Sequence, residues 1–197
     1  MNWRCEMVKV VFGMNGRLSK LYCLFVFIAF AMPVFGQMEE VIETETMIEW
    51  SESRPLEWKD YTYRRIRLKG SMALTKVKHS VKGYMRNGLP EFEIKVLFRK
   101  PHSWTSDTTN LDLLKHEQLH FDIAELYRRK IEHEIIKLQQ SQEKNAVVYR
   151  AEISRILAEF NAYSRQYDRE SNHGKHKLEQ ARWKQEVLNS LKVVQNK

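Results

Sequence analysis

Cysteine is scarce in this chain of 197 residues: there are two, Cys5 and Cys23, both among the first 36 positions. If that segment is removed as a leader, the rest has no thiol. A disulfide framework and a thiolate-bound zinc are then excluded. Long hydrophobic runs are also missing. The apolar stretch 21–35 spans only about 15 residues, short of the roughly 20 that a membrane-crossing helix needs. It follows the bases Arg4, Lys9, Arg17 and Lys20 and ends at Val34-Phe35-Gly36. That order predicts a secretory signal peptide over residues 1–36, cleaved after Gly36, with Met14 as a possible later start. Cys23 has no small-residue lipoprotein box, so no lipid anchor is expected. Residues 37–197 are expected as one domain, secreted or periplasmic, with no stable membrane anchor. Blocks of one charge sign are missing too. The net charge of +8 comes from 33 Lys and Arg against 25 Asp and Glu. The leader holds four of those bases and one acid, and the remainder are interspersed, so no nucleic-acid partner is expected. There is no internal repeat or low-complexity tract.

Residues 111–138 contain neither Gly nor Pro, and Thr108, Thr109, Asn110 and Asp112 supply helix start signals. Leu113, His116, His120, Ile123, Ala124, Tyr127, Ile131 and Leu138 fall on one stripe of that helix, about 100° wide. Within it His116-Glu117-Gln118-Leu119-His120 reads H-E-x-x-H. Residues four apart lie one above the other on a helix, so both imidazoles can reach one ion. Glu117, about 100° round, can take a proton from a zinc-activated water without ligating the ion, which makes it the candidate general base. The alternative is a pair of hydrogen-bonded core histidines, and it requires that coincidence twice plus a carboxylate. The opposite face, with Lys115, Asp122, Glu125, Arg129, His133 and Lys137, reads as solvated.

Upstream, short strands are expected at 48–50 and 56–61, with Arg54-Pro55 between them. Two β-rich runs, 71–84 and 90–99, flank Arg86-Asn87-Gly88 and predict an antiparallel hairpin. Phe92, Ile94, Val96 and Phe98 share its inner face. Lys100-Pro101 ends the sheet. Downstream, a second helix is expected from Ala146 to about Tyr167 and a third from Lys175. Strands first and helices after predict an α+β fold: a small antiparallel sheet, then a long motif-bearing helix and two more.

Several motifs occur in one order: Trp50…Leu56-x-Trp58-x-Asp60-Tyr61, then Ser103-Trp104, then Leu113 to Glu125 around the histidines. Tyr167-Asp168-x-x-Ser171-x-His173-Gly174 and Gln180-x-x-Trp183 close the series. Over about residues 48 to 188 this resembles the bacterial family of predicted secreted zinc-dependent proteases, catalogued as a domain of unknown function. Where that pattern has Gly before the second His and Thr ahead of the H-G pair, this chain has Leu119 and Ser171. The resemblance implies a zincin-like hydrolase with Zn2+ as cofactor and a peptide or protein as substrate. Two other readings stay open. One is a secreted zinc-binding or interaction domain without turnover, and the other a zinc hydrolase of a cell-wall bond.

Catalytic zinc normally takes three protein ligands. Glu125 lies opposite the histidines on a continuous helix, so the third is expected from the segment 168–174, with Asp168, Glu170 and His173. His173, before Gly174, is the first choice and Asp168 the alternative, or a support to the ligands. His102 follows if neither serves. Tyr163 or Tyr167 is a candidate to assist an oxyanion, against a simpler role in the core. Trp104 reads as structural.

Overall fold

The computed structural model describes residues 42–65 and 71–195. The expected leader, its cleavage after Gly36 and both cysteines lie outside the described residues. The elements run β1 (Met47–Glu49), β2 (Thr62–Tyr63), β3 (Ala73–Leu74), β4 (Val77–Arg86), β5 (Leu89–Arg99), β6 (Trp104–Thr105), α1 (Leu111–Gln140), α2 (Ala146–Ser171) and α3 (Lys177–Gln195). The fold is α+β, with small sheets followed by three helices.

The alternation in 90–99 produces the expected hairpin. β4 and β5 pair antiparallel and β1 adds to the far edge of β5, giving the order β1-β5-β4. Asn87 and Gly88 both adopt positive φ, 52° and 79°, as a two-residue turn matched to strand twist requires. Ile94, Val96 and Phe98 are buried on the inner face.

Three details depart from the sequence reading. The run 71–84 is not one strand, because β3 leaves the hairpin and joins a second sheet ordered β2-β6-β3. Pro101 sits in a 3-10 turn, Lys100–His102, that re-aims the chain after β5. Ser103 Oγ then holds the break by accepting from Lys76 N at 2.9 Å. Residues 56–61 hold a 3-10 turn instead of a strand, because Glu57 N donates to Asp60 Oδ2 at 2.7 Å. Finally, β2 pairs with β6 in parallel, so the second sheet is mixed.

α1 starts where Asn110 Oδ1 accepts from Leu113 N at 3.0 Å, and it runs for 30 residues. Its buried arc is wider than the expected stripe, because it is covered on several sides. Phe121 and Ala124 pack with Ile48, Val96 and Phe98 of the hairpin sheet. Ile123, Tyr127 and Ile131 pack with Tyr149, Ile156, Tyr167 and Trp183 of α2 and α3. The face read as solvated is partly covered too. Asp122 Oδ1 accepts from Trp50 Nε1 at 3.0 Å and from Gln118 Nε2 at 2.7 Å. Gln118 Oε1 accepts from Leu56 N at 2.7 Å. Glu125 is buried, its charge met by Arg128 and Arg129, each at 2.7 Å. The motif helix is therefore the central element, and Gln118 of its H-E-x-x-H stretch, with Asp122 just beyond, ties down the segment between β1 and β2.

α2 continues past Tyr167 to Ser171, one turn further than its pattern predicts. Ser171 is fully buried, and left-handed Asn172, φ 47°, closes the end. Asp168 thus lies on a helix instead of in a turn. Among the described residues no helix is long and apolar enough to cross a membrane.

Candidate metal centre

Helical spacing brings His116 and His120 onto one face of α1, with their rings edge to face and the centroids 4.8 Å apart. The last turn of α2 crosses that face and supplies Asp168. Asp168 Oδ1 lies 2.9 Å from His120 Nε2 and 3.3 Å from His116 Nε2. The ligand-type atoms of these three residues all fall within 4.8 Å of one another. A tetrahedral zinc with bonds of about 2.0–2.1 Å separates its ligand atoms by about 3.3 Å, close to both distances.

The outer nitrogens are held as well. His120 Nδ1 meets Ser164 Oγ at 3.0 Å, one helical turn before Asp168. His116 Nδ1 meets Gln180 Oε1 at 3.3 Å, and that same oxygen accepts from Tyr167 OH at 2.7 Å. A carbonyl oxygen only accepts, so the hydrogen of a neutral His116 ring sits on Nδ1. A neutral His116 then offers Nε2 as a lone-pair donor beside Asp168, whereas a hydrogen bond from Nε2 to that carboxylate takes the imidazolium. The donor set thus fits a divalent ion: two imidazole nitrogens and one carboxylate oxygen, with partners that aim the rings.

The electrostatics agree. Burial works against the Asp168 carboxylate, but hydrogen bonds from His116 and His120 outweigh it and hold its pKa well below the usual range. Burial likewise works against a charged His120, and the bond to Asp168 overcomes it, raising the pKa above the ordinary imidazole value.

Glu117 is buried, with 4% of its surface exposed, and lines the same cavity of about 610 Å³ as His116, His120 and Asp168. Among the described residues its carboxylate accepts no hydrogen bond. Its charge is felt across the cavity wall: burial first, and then Glu117, push the Tyr61 phenol well above its usual range. Tyr61 OH is bonded to Thr75 Oγ1 at 2.7 Å, and Thr75 ends the stretch 71–75, containing β3, that forms one rim.

The other candidates divide clearly. His173 lines the cavity, but its Nδ1 stands 3.6 Å from Asp168 Oδ1 and its side chain is 62% exposed. It is not in the three-residue group that Asp168 completes. Glu170 faces α3, accepting from Trp183 Nε1 at 2.9 Å. His102 sits in the 3-10 turn, beside Arg99 Nη2 at 3.3 Å. Tyr163 donates to Glu186 at 2.8 Å, and Tyr167 stacks on His116 with its hydroxyl engaged by Gln180. Trp104 is buried beneath Arg64. Ser164 and Tyr61 went unassigned from sequence. Ser164 was within reach, since it precedes Asp168 by four on one helix, whereas the Tyr61–Thr75 contact needs the tertiary fold.

An α+β domain whose central helix carries two histidines, completed by a carboxylate from a second helix, defines a protein with a candidate three-ligand metal centre. The family model described as "Bacterial protein of unknown function (DUF922)" matches residues 54–174, and the chain belongs to that family. No curated protein and no solved structure matches the chain.

Proposed function

We propose that this protein is a zinc-dependent hydrolase of the zincin type, a peptidase exported from the cytoplasm, with His116, His120 and Asp168 as the metal ligands and Glu117 as the general base. The observation that carries this reading is Glu117: a buried carboxylate, free of hydrogen bonds to the described residues, facing a cavity beside three convergent ligand groups. A carboxylate that faces a cavity with no partner among the described residues is placed to take a proton there. When bound, zinc supplies a water acidified to a pKa of about 7 and a Lewis acid for the scissile carbonyl.

The chain's own groups do the rest. Ser164 and Gln180 hold the two rings so that both Nε2 atoms converge. Glu117 takes the proton of the attacking water and returns it to the departing amine. The surrounding walls, with Tyr61 behind and Leu113 beside, limit access of bulk water to that proton. The rim 71–75 includes β3, the outer strand of its sheet, and an extended peptide is the substrate shape that such a strand accompanies by main-chain hydrogen bonds. Export follows from the leader read over residues 1–36, and mass spectrometry of the native protein should find a terminus near Gln37.

The test is a broad peptide-library digest with the purified protein, repeated with a chelator and with Glu117→Gln. Cleavage that needs the metal and falls at least about 10²-fold in the variant supports the reading. Zinc binding with no cleavage of any peptide would contradict it and leave a binding domain or a hydrolase of another bond.

A further inference from the structure

We infer that His173 is a catalytic residue of this hydrolase: its ring N–H donates a hydrogen bond to the carbonyl oxygen of the scissile amide as that oxygen gains negative charge. The inference rests on the hydrolase reading above and gives the rim histidine a role distinct from metal binding.

Backbone conformation is the first observation. Asn172, His173 and Gly174 are left-handed in succession, with φ of 47°, 52° and 77°. Gly suits that region best, and Asn and His enter it more readily than most residues, still at a cost that glycine does not bear. The turn is fully closed around it. His173 N donates to Asp168 O at 2.9 Å, Gly174 N to Ser171 Oγ at 3.2 Å and His176 N to Ser171 O at 2.9 Å. Those bonds come from the backbone and from Ser171, so Gly or Asn at 173 would preserve them. The imidazole recovers little by packing, since its side chain is 62% exposed. A left-handed position that keeps an exposed ring over a cavity, where glycine would serve the turn as well, points to function.

Position is the second. His173 lines the cavity that holds Glu117, and its ring centroid is 6.5 Å from that of His116, edge to face. The 3.6 Å gap from Nδ1 to Asp168 Oδ1 is too long for a hydrogen bond, so Asp168 does not pin the ring hydrogen to Nδ1. Nε2 of the neutral ring is then able to carry it toward a ligand in the cavity.

Availability is the third. A developing oxyanion calls for a donor aimed at it. The tyrosines near the centre are engaged: Tyr167 OH donates to Gln180, Tyr163 OH to Glu186, and Tyr61 OH pairs with Thr75 Oγ1. Ser164 Oγ is taken by His120. His173 is the imidazole on the cavity wall that lies outside the ligand group and makes no side-chain hydrogen bond among the described residues. In the step itself, the water oxygen adds to the carbonyl carbon and its proton passes to Glu117. The carbonyl oxygen takes the electron pair and accepts from His173. Collapse then breaks the C–N bond, and the amine leaves with the proton from Glu117.

The test uses His173→Gly, which suits a left-handed position. Three readouts are taken beside wild type and Glu117→Gln: zinc affinity by chelator competition, Tm, and kcat and KM on a peptide cleaved by the wild type. The expected result is zinc affinity within about threefold of wild type, an equal or higher Tm, and a kcat lowered by about 10²-fold with KM little changed. Cleavage that depends on Glu117 but not on His173 overturns this role alone. Loss of kcat together with zinc affinity or Tm identifies a ligand or a structural cap and also overturns it. No cleavage by the wild type overturns the hydrolase reading and this role with it.

Discussion

Gly174 packs so closely on His116 that a Cβ at the glycine would lie 2.8 Å from the Cβ of the histidine and 3.0 Å from its Cγ. The contact presses the end of α2 onto the first histidine of the motif. It leaves neither side room to yield, because His116 is itself buried against the stacked ring of Tyr167. Its φ of 77° adds a second demand for glycine.

Gly174→Ala should therefore act on fold and metal together. The strain and overpacking are expected to cost about 1–3 kcal/mol of stability. Zinc affinity should fall as His116 is displaced. Urea melts with and without zinc measure both, and a variant as stable and as tight-binding as wild type would mean that the contact is slack.

Ser164 and Gln180 hold the outer nitrogens of the two motif histidines without reaching the cluster themselves. Ser164→Ala and Gln180→Leu are each expected to weaken zinc binding by about 10- to 100-fold, while the far-ultraviolet circular dichroism stays native. Chelator competition measures this. An unchanged affinity in both variants would mean that the rings are aimed by packing alone.

Arg54 joins Glu43 at 2.9 Å to Asp60 at 2.8 Å, and Asp60 is buried. Arg54→Met strands the Asp60 carboxylate and should cost about 3 kcal/mol in a denaturant melt. The pH dependence follows from Glu43, whose pKa is lowered from 4.5 to about 2 by hydrogen bonds from Arg54 and then Lys100. A folded-state pKa below the unfolded one stabilises the protein above about pH 4.5, and that contribution is lost as pH falls toward 2. Wild type should lose stability across that window, and Arg54→Met should lose less there. Equal slopes would exclude this network as a source of acid sensitivity.

The motif histidines and Glu117 were legible because a helix without Gly or Pro fixes the i, i+4 geometry locally. The hairpin was legible for a similar reason, through Asn87-Gly88 and the alternation that follows. Asp168 was legible only as an alternative. The stop signals Asn172 and Gly174 mark a boundary to within a few residues, but burial of Ser171 decides that α2 covers the last turn. That turn carries Asp168 to the histidines and leaves His173 on the rim. β2, β3 and β6, at two residues each, are too short to show any period. Glu125 and Asp122 read as solvated because Arg128, Arg129 and Gln118 stand three or four residues away, the spacing of an exposed helix pair, and the tertiary fold brings Trp50 and Leu191 over that face.

Zinc titration of the purified protein, with Asp168→Ala and His173→Ala in parallel, is the most direct test of the centre. The expected result is about one zinc per wild-type chain, with binding lost in Asp168→Ala and kept in His173→Ala. A wild type that binds no zinc, or an Asp168→Ala variant that keeps it while His173→Ala loses it, would contradict the assignment.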